Sequence, residues 1–140
     1  MKLFVDTWGW LTLRDKRESQ HQAVTRFYQQ FLQQNGRVYT TDYVLDETYT
    51  LLFKRLPFVH AEASVLLLDQ AIARKQIQLV WITPERFGRT KALRLKLQDK
   101  PDISFTDLSS MIVMEELAIT DILTGDAHFT YVGMGFQRMP

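Results

Sequence analysis

Apolar residues along this chain fall into two rhythms. Short, nearly continuous apolar runs alternate with longer stretches in which apolar positions recur at helical spacing. The runs Lys2–Val5, Arg37–Thr41, Ile77–Ile82 and Ile119–Leu123 are predicted strands, and "IQLVWI" at 77–82 is the clearest of them. Between them the pattern predicts a short helix over Thr7–Leu13 and a longer one from Gln20 to about Gln34. Ser19 is placed to cap the second, and Asn35-Gly36 to stop it. Further helices are predicted from Asp42 to about Arg55 and, after Pro57, from Val59 to about Lys75. Thr83-Pro84-Glu85 is a helix start, a capping hydroxyl followed by proline, and that helix is expected to reach about Gln98. A loop, "DKPD", precedes a helix opened by Ser104 and running through about Leu117, and a short last strand is expected near Phe136.

Strands alternating with helices predict an α/β fold, a parallel β-sheet flanked by α-helices, in one domain over residues 1–140. Such a sheet gathers the carboxyl ends of its strands on one edge, where ligands bind. Several acids follow strand ends. Leu3-Phe4-Val5 delivers Asp6, Thr41 is followed by Asp42 and Glu47, and "LTGDAHFTYVG" presents Asp126 just after an apolar run. Asp107 lies in the first turn of its helix.

Each acid also has a plain structural reading. Asp6 can be a helix N-cap. At about 100° per residue, Glu47 falls on the shoulder of the apolar arc formed by Val44, Leu45, Thr48, Leu51 and Leu52, while Asp46 points to solvent. "SFTD", Ser104 to Asp107, has capping-box spacing with Asp in place of Glu. Asp126 after Gly125 fits turn chemistry. Asp121 is expected as a salt-bridge partner inside its strand, and Asp102 sits in a loop with either role open.

Composition narrows the classes. Of the 140 residues 46% are hydrophobic, enough for a substantial core, and there is no cysteine, which excludes disulfides and thiolate metal sites. No run approaches the ~20 apolar residues of a membrane span, and Asp6 interrupts the apolar N-terminus, so a soluble cytoplasmic protein with no membrane partner is expected. A net charge of +1 excludes nucleic-acid binding by bulk charge. The segment Arg86–Lys100 is nevertheless basic, with Arg86, Arg89, Lys91, Arg94, Lys96 and Lys100 against Asp99 alone. It reads either as a solvated helix face or as a phosphate-facing patch. His21, His60 and His128 show no metal-ligand spacing, and His128 is read as a structural or phosphate-contacting residue.

No phosphate-binding glycine loop and no nucleophilic Ser, Cys or His arrangement is present. If the acids converge, their mutual repulsion calls for a cation, and oxygen ligands favour Mg²⁺ or Mn²⁺. The chemistry left is metal-assisted hydrolysis.

"FVDTWGWL", "TDYVLDETYTLL", "ISFTDLSSMIVM" and "ITDILTGDAHF" resemble, in order, the four acidic motifs of PIN-domain nucleases, and most closely the VapC-type toxins of bacterial toxin–antitoxin pairs. The resemblance implies a three-layer α/β/α fold and endoribonuclease activity. It also implies homodimers and an antitoxin that blocks the site. By position it makes Asp6, Glu47, Asp107 and Asp126 the catalytic, Mg²⁺- or Mn²⁺-binding quartet, with Thr7 and Thr124 as supporting polar groups. Two positions depart from the family pattern: Trp8 stands where a small polar residue is common, and Ala127 where a basic one is. A haloacid-dehalogenase-type phosphatase would need a second acid at position 8, and a receiver domain an acid pair that is absent. A regulatory PIN-fold binding protein without cleavage activity and a DNA- or structure-specific nuclease are the remaining alternatives.

Overall fold

A computed structural model describes residues 1–140. Its elements run β1 (Lys2–Val5), α1 (Thr7–Arg14), α2 (His21–Gln33), β2 (Arg37–Thr41), α3 (Asp42–Arg55), α4 (Phe58–Ala73), β3 (Ile77–Val80), α5 (Pro84–Lys96), α6 (Phe105–Glu116), β4 (Asp121–Leu123), α7 (His128–Tyr131) and β5 (Gln137–Met139). Every strand pairing is parallel, and the order across the sheet is β3-β2-β1-β4-β5. This is the expected parallel sheet flanked by helices in a PIN-like three-layer α/β/α arrangement. No helix is long and apolar enough to cross a membrane.

β1 is the central strand, and Leu3, Phe4 and Val5 are all fully buried, as a strand covered on both faces requires. They join Val38, Leu108, Met111, Met114, Ile122, Leu123 and Phe129 in the main core. Gly9 lets α1 lie close over the strand ends, since a Cβ there would come within 2.7 Å of Leu123 O and Val5 Cγ1. The strand order reverses direction between β1 and β4. The crevice at such a switch point is where a parallel sheet binds its ligands, and Asp6 and Asp126 follow the two strands that form it.

Element boundaries differ from expectation where backbone groups find other partners. β3 stops at Val80, because the Ile82 N–H donates to Asp42 Oδ1 at 2.7 Å and turns the chain toward α5. β4 begins at Asp121, because Ile119 N–H closes the end of α6 on Met114 O, with Ala118 at φ 54°. Ser19 does not cap α2, whose N-cap is Gln20 without a side-chain bond. Thr83 does cap α5, accepting from Arg86 N at 3.2 Å with Pro84 in the first turn. Asp121 forms no ion pair and accepts only from the Thr120 hydroxyl, at 3.5 Å. It lies at the start of β4, beside Leu3 and Gln137.

Candidate active site

Each acid reaches the crevice from a different element. Asp6 ends β1 and caps α1, accepting from Gly9 N at 3.0 Å. Its other carboxylate oxygen accepts from the Thr124 hydroxyl. That leaves the side chain nearly buried, at 5% exposure. The structural role suggested by sequence is therefore real, but it occupies only one of the two oxygens.

Glu47 projects from α3 in a stripe with Leu51 and Arg55, at i, i+4 and i+8 on one face of the helix, and all three line the same cleft. Asp46 faces a separate groove beside Tyr49 and Trp81.

Asp107 resolves its capping-box ambiguity by splitting the two halves of the motif. Its backbone N–H donates to Ser104 Oγ at 3.0 Å, so Ser104 caps α6. Its carboxylate does not return to the Ser104 backbone but turns to Asp126 and His128.

Asp126 is set by the turn after β4. Its N–H donates to Thr124 Oγ1 at 3.0 Å, and its Oδ1 accepts from His128 N at 2.8 Å. Ligand atoms of Asp107, Asp126 and His128 all lie within 4.8 Å of one another. His128 Nδ1 is 3.0 Å from Asp126 Oδ1 and 3.8 Å from Asp107 Oδ2, and it makes no hydrogen bond with either.

All four acids thus line one open cleft of about 560 Å³, with Thr7, Trp8, Arg55, Asp102 and His128 among the other lining residues. The electrostatics match the crowding. Burial pushes the Asp6 carboxyl up to about 7, against the lowering effect of its two hydrogen bonds, with Asp107 and Asp126 adding repulsion. Asp107 is pushed up to about 6, first by burial and then by the neighbouring Asp126 and Glu47 charges, while His128 opposes the rise.

The supporting threonines divide. Thr124, 4% exposed, bridges Asp6 and the Asp126 backbone. Thr7 is turned inward, its hydroxyl 3.4 Å from Val44 O.

The basic segment is not brought to the cleft. Arg86 pairs with Glu116 at 2.5 Å and donates to Trp81 O at 2.8 Å. Arg89 also pairs with Glu116 and lies 3.8 Å from Glu85. Arg94 donates to the carbonyls of Ile103, Leu97 and Lys100 at 2.7–2.8 Å, closing the loop before α6. These guanidinium groups are occupied holding α5, α6 and their connection together.

Sequence reasoning missed Arg55 and left open what Asp102 and His128 do here. Arg55 is the cleft's one Lys or Arg side chain; its guanidinium forms no hydrogen bond or ion pair, though its charge is felt at Asp15. The signal was the i+8 spacing from Glu47. Asp102, whose role sequence left open, reaches the cleft rim. His128 brings a ring nitrogen into the carboxylate cluster itself, so the donor set is not purely oxygen.

A PIN-domain family model matches residues 3–133. The chain belongs to the PIN-domain family. Among solved structures it is similar to the Mycobacterium tuberculosis toxin VapC20, which cleaves the sarcin–ricin loop. The TM-score is 0.81, with 25% identity and 98% of each chain covered. It also matches Rickettsia felis VapBC2 bound to a promoter DNA fragment, with a TM-score of 0.74, 13% identity and 100% of each chain covered, a likeness of fold alone. No curated protein sequence matches the chain.

Proposed function

We propose that this PIN-domain protein is a metal-dependent endoribonuclease, the toxin of a bacterial toxin–antitoxin pair, with Asp6, Glu47, Asp107 and Asp126 as its catalytic acids. The observation that carries the reading is the convergence of four acids from four separate elements on one cleft, in a chain that matches a ribonucleolytic toxin over its full length.

The donor set fits Mg²⁺ or Mn²⁺. Carboxylates whose pKa values are raised by burial and by one another are relieved by a cation, and the four oxygen-bearing acids of the cleft are the ligands such a hard ion takes, with the His128 ring nitrogen beside them. When bound, such an ion would supply Lewis-acid polarisation of the phosphodiester and activation of water. The protein's own groups do the positioning. Thr124 and Gly9 aim Asp6, Ser104 fixes the turn that carries Asp107, and the Asp126 backbone is held by Thr124. Arg55 supplies a cation on the α3 wall for a substrate phosphate, the role that Ala127 cannot fill.

A cognate antitoxin and assembly as a homodimer belong to the same reading. Exposed Phe53, Phe58 and Val59, at the corner between α3 and α4, offer apolar surface for a protein contact. The test is cleavage of structured and single-stranded RNA by the purified protein in Mg²⁺, Mn²⁺ and EDTA. Cleavage is expected with either metal and none in chelator. Activity that persists in EDTA would overturn the metal mechanism.

A further inference from the structure

The segment "TWGW" carries two indoles two residues apart, and the fold treats them oppositely. Trp10 is 2% exposed, and its Nε1–H donates to Thr40 Oγ1 at 3.1 Å. Trp8 points the other way, as residues two apart on a helix do. It is half-buried, lines the acidic cleft, and its Nε1–H has no partner within the protein. Gly125 packs directly against it, since a Cβ at Gly125 would lie 2.6 Å from Trp8 Cε2 and Nε1. The turn that presents Asp126 therefore also seats the indole. A large aromatic ring, braced by the Gly125 turn and only half-buried, stands beside the carboxylates in a cleft with few apolar neighbours.

We propose that Trp8 is a stacking platform for one unpaired nucleobase next to the phosphate that the acids would address. The assignment rests on the nuclease reading only for where that phosphate sits. Stacking on an aromatic face is open to every base, because each has a π-face, but not to a base still held inside a duplex. Trp8 thus biases the site toward unpaired strand, while Arg55 faces the backbone from α3.

The test uses the full-length protein in Ca²⁺-containing buffer, where the carboxylates are neutralised, titrated with a short single-stranded RNA, the DNA of the same sequence and the RNA duplex. Wild type, Trp8→Phe and Trp8→Leu are compared by intrinsic fluorescence and by affinity. Wild-type emission should be quenched saturably by either single strand and much less by the duplex. Trp8→Phe should lose the quench yet keep most of the affinity, whereas Trp8→Leu should lose about tenfold. An equal thermal shift with Mn²⁺ in all three proteins would establish that the acids are intact. A Trp8→Leu protein that binds single strands like wild type overturns the platform, even if the nuclease reading stands. A protein that binds and quenches but never cleaves RNA with Mg²⁺ or Mn²⁺ overturns the nuclease reading and leaves the platform in place.

Discussion

Thr124 and Asp6, 118 positions apart in the chain, are joined by a hydrogen bond from the Thr124 hydroxyl to Asp6 Oδ2. The same hydroxyl oxygen accepts the Asp126 N–H at 3.0 Å. One buried side chain thus fixes the acid that ends β1 and the backbone of the acid that follows β4, across the switch point of the sheet.

Thr124→Val keeps the shape and removes both bonds. Above about pH 8, where Asp6 is ionised, it leaves the Asp6 oxygen unpaired in a buried place, which costs about 1.5–3 kcal/mol for a hydrogen bond to a charged group. Thr124→Ser should retain most of the stability. Chemical denaturation of the three proteins in chelator measures the difference, and a valine variant as stable as wild type would show that the hydroxyl is not what holds the acids.

The raised pKa values give an unusual pH dependence. Asp6 titrates near 7 and Asp107 near 6, both above the ordinary value of 3.8. Between about pH 4 and 7 the folded state therefore holds more protons than the unfolded chain, and stability falls as pH rises through that window. Asp107 and Asp126 raise Asp6 while its hydrogen bonds from Thr124 and Gly9 oppose the rise, and Asp126 and Glu47 raise Asp107 while His128 opposes it. In EDTA the melting temperature should drop from pH 5 to pH 8, with Mg²⁺ or Mn²⁺ restoring it at the upper end. Asp6→Asn, which preserves a capping side chain, should flatten the profile. A chelated protein that melts higher at pH 7.5 than at pH 5 contradicts the assignment.

The split capping box separates two substitutions that sequence alone would equate. Ser104→Ala removes the cap from α6 and should cost about 1 kcal/mol, with the metal-induced thermal shift intact. Asp107→Asn leaves the backbone cap in place and relieves repulsion, so the metal-free variant should melt at or above wild type. It should gain much less from millimolar Mg²⁺ or Mn²⁺ and lose RNA cleavage, because a ligand stabilises only a fold that binds it. An Asp107→Asn protein with the full metal shift would remove Asp107 from the quartet.

The sheet was legible because β1 and the run into β4 are buried and read as nearly continuous apolar stretches, while β2, RVYTT, shows its β-branched and aromatic residues instead. The four acids were legible because strand ends in a parallel sheet share one edge. What escaped the sequence was the use of particular polar groups. Nothing local distinguishes an Ile82 N–H that pairs along β3 from one that pairs with Asp42. Nothing in the spacing of Arg86 and Arg89 reveals Glu116, thirty and twenty-seven positions on, as their shared partner. The inward turn of His128 depends on the short helix α7, which is too brief to show a period.

The salt dependence of RNA binding tells which basic side chains meet phosphates. A cationic side chain that neutralises a phosphate releases counterions, and losing it flattens the log–log slope by about 0.7 per contact on a single strand. Arg55 has a free guanidinium in the cleft, so Arg55→Gln should weaken binding and flatten the slope by about that amount. Arg89 is paired with Glu116 and lies outside the cleft lining, so Arg89→Gln should leave the slope unchanged and alter stability by no more than about 1 kcal/mol. Arg94 holds three carbonyls of the loop before α6, so Arg94→Gln should lower the melting temperature without changing the slope of the folded protein. Affinities measured across a salt series for all three variants decide between the two basic surfaces. A slope that flattens for Arg89→Gln but not for Arg55→Gln would place the RNA path along α5 instead of along α3.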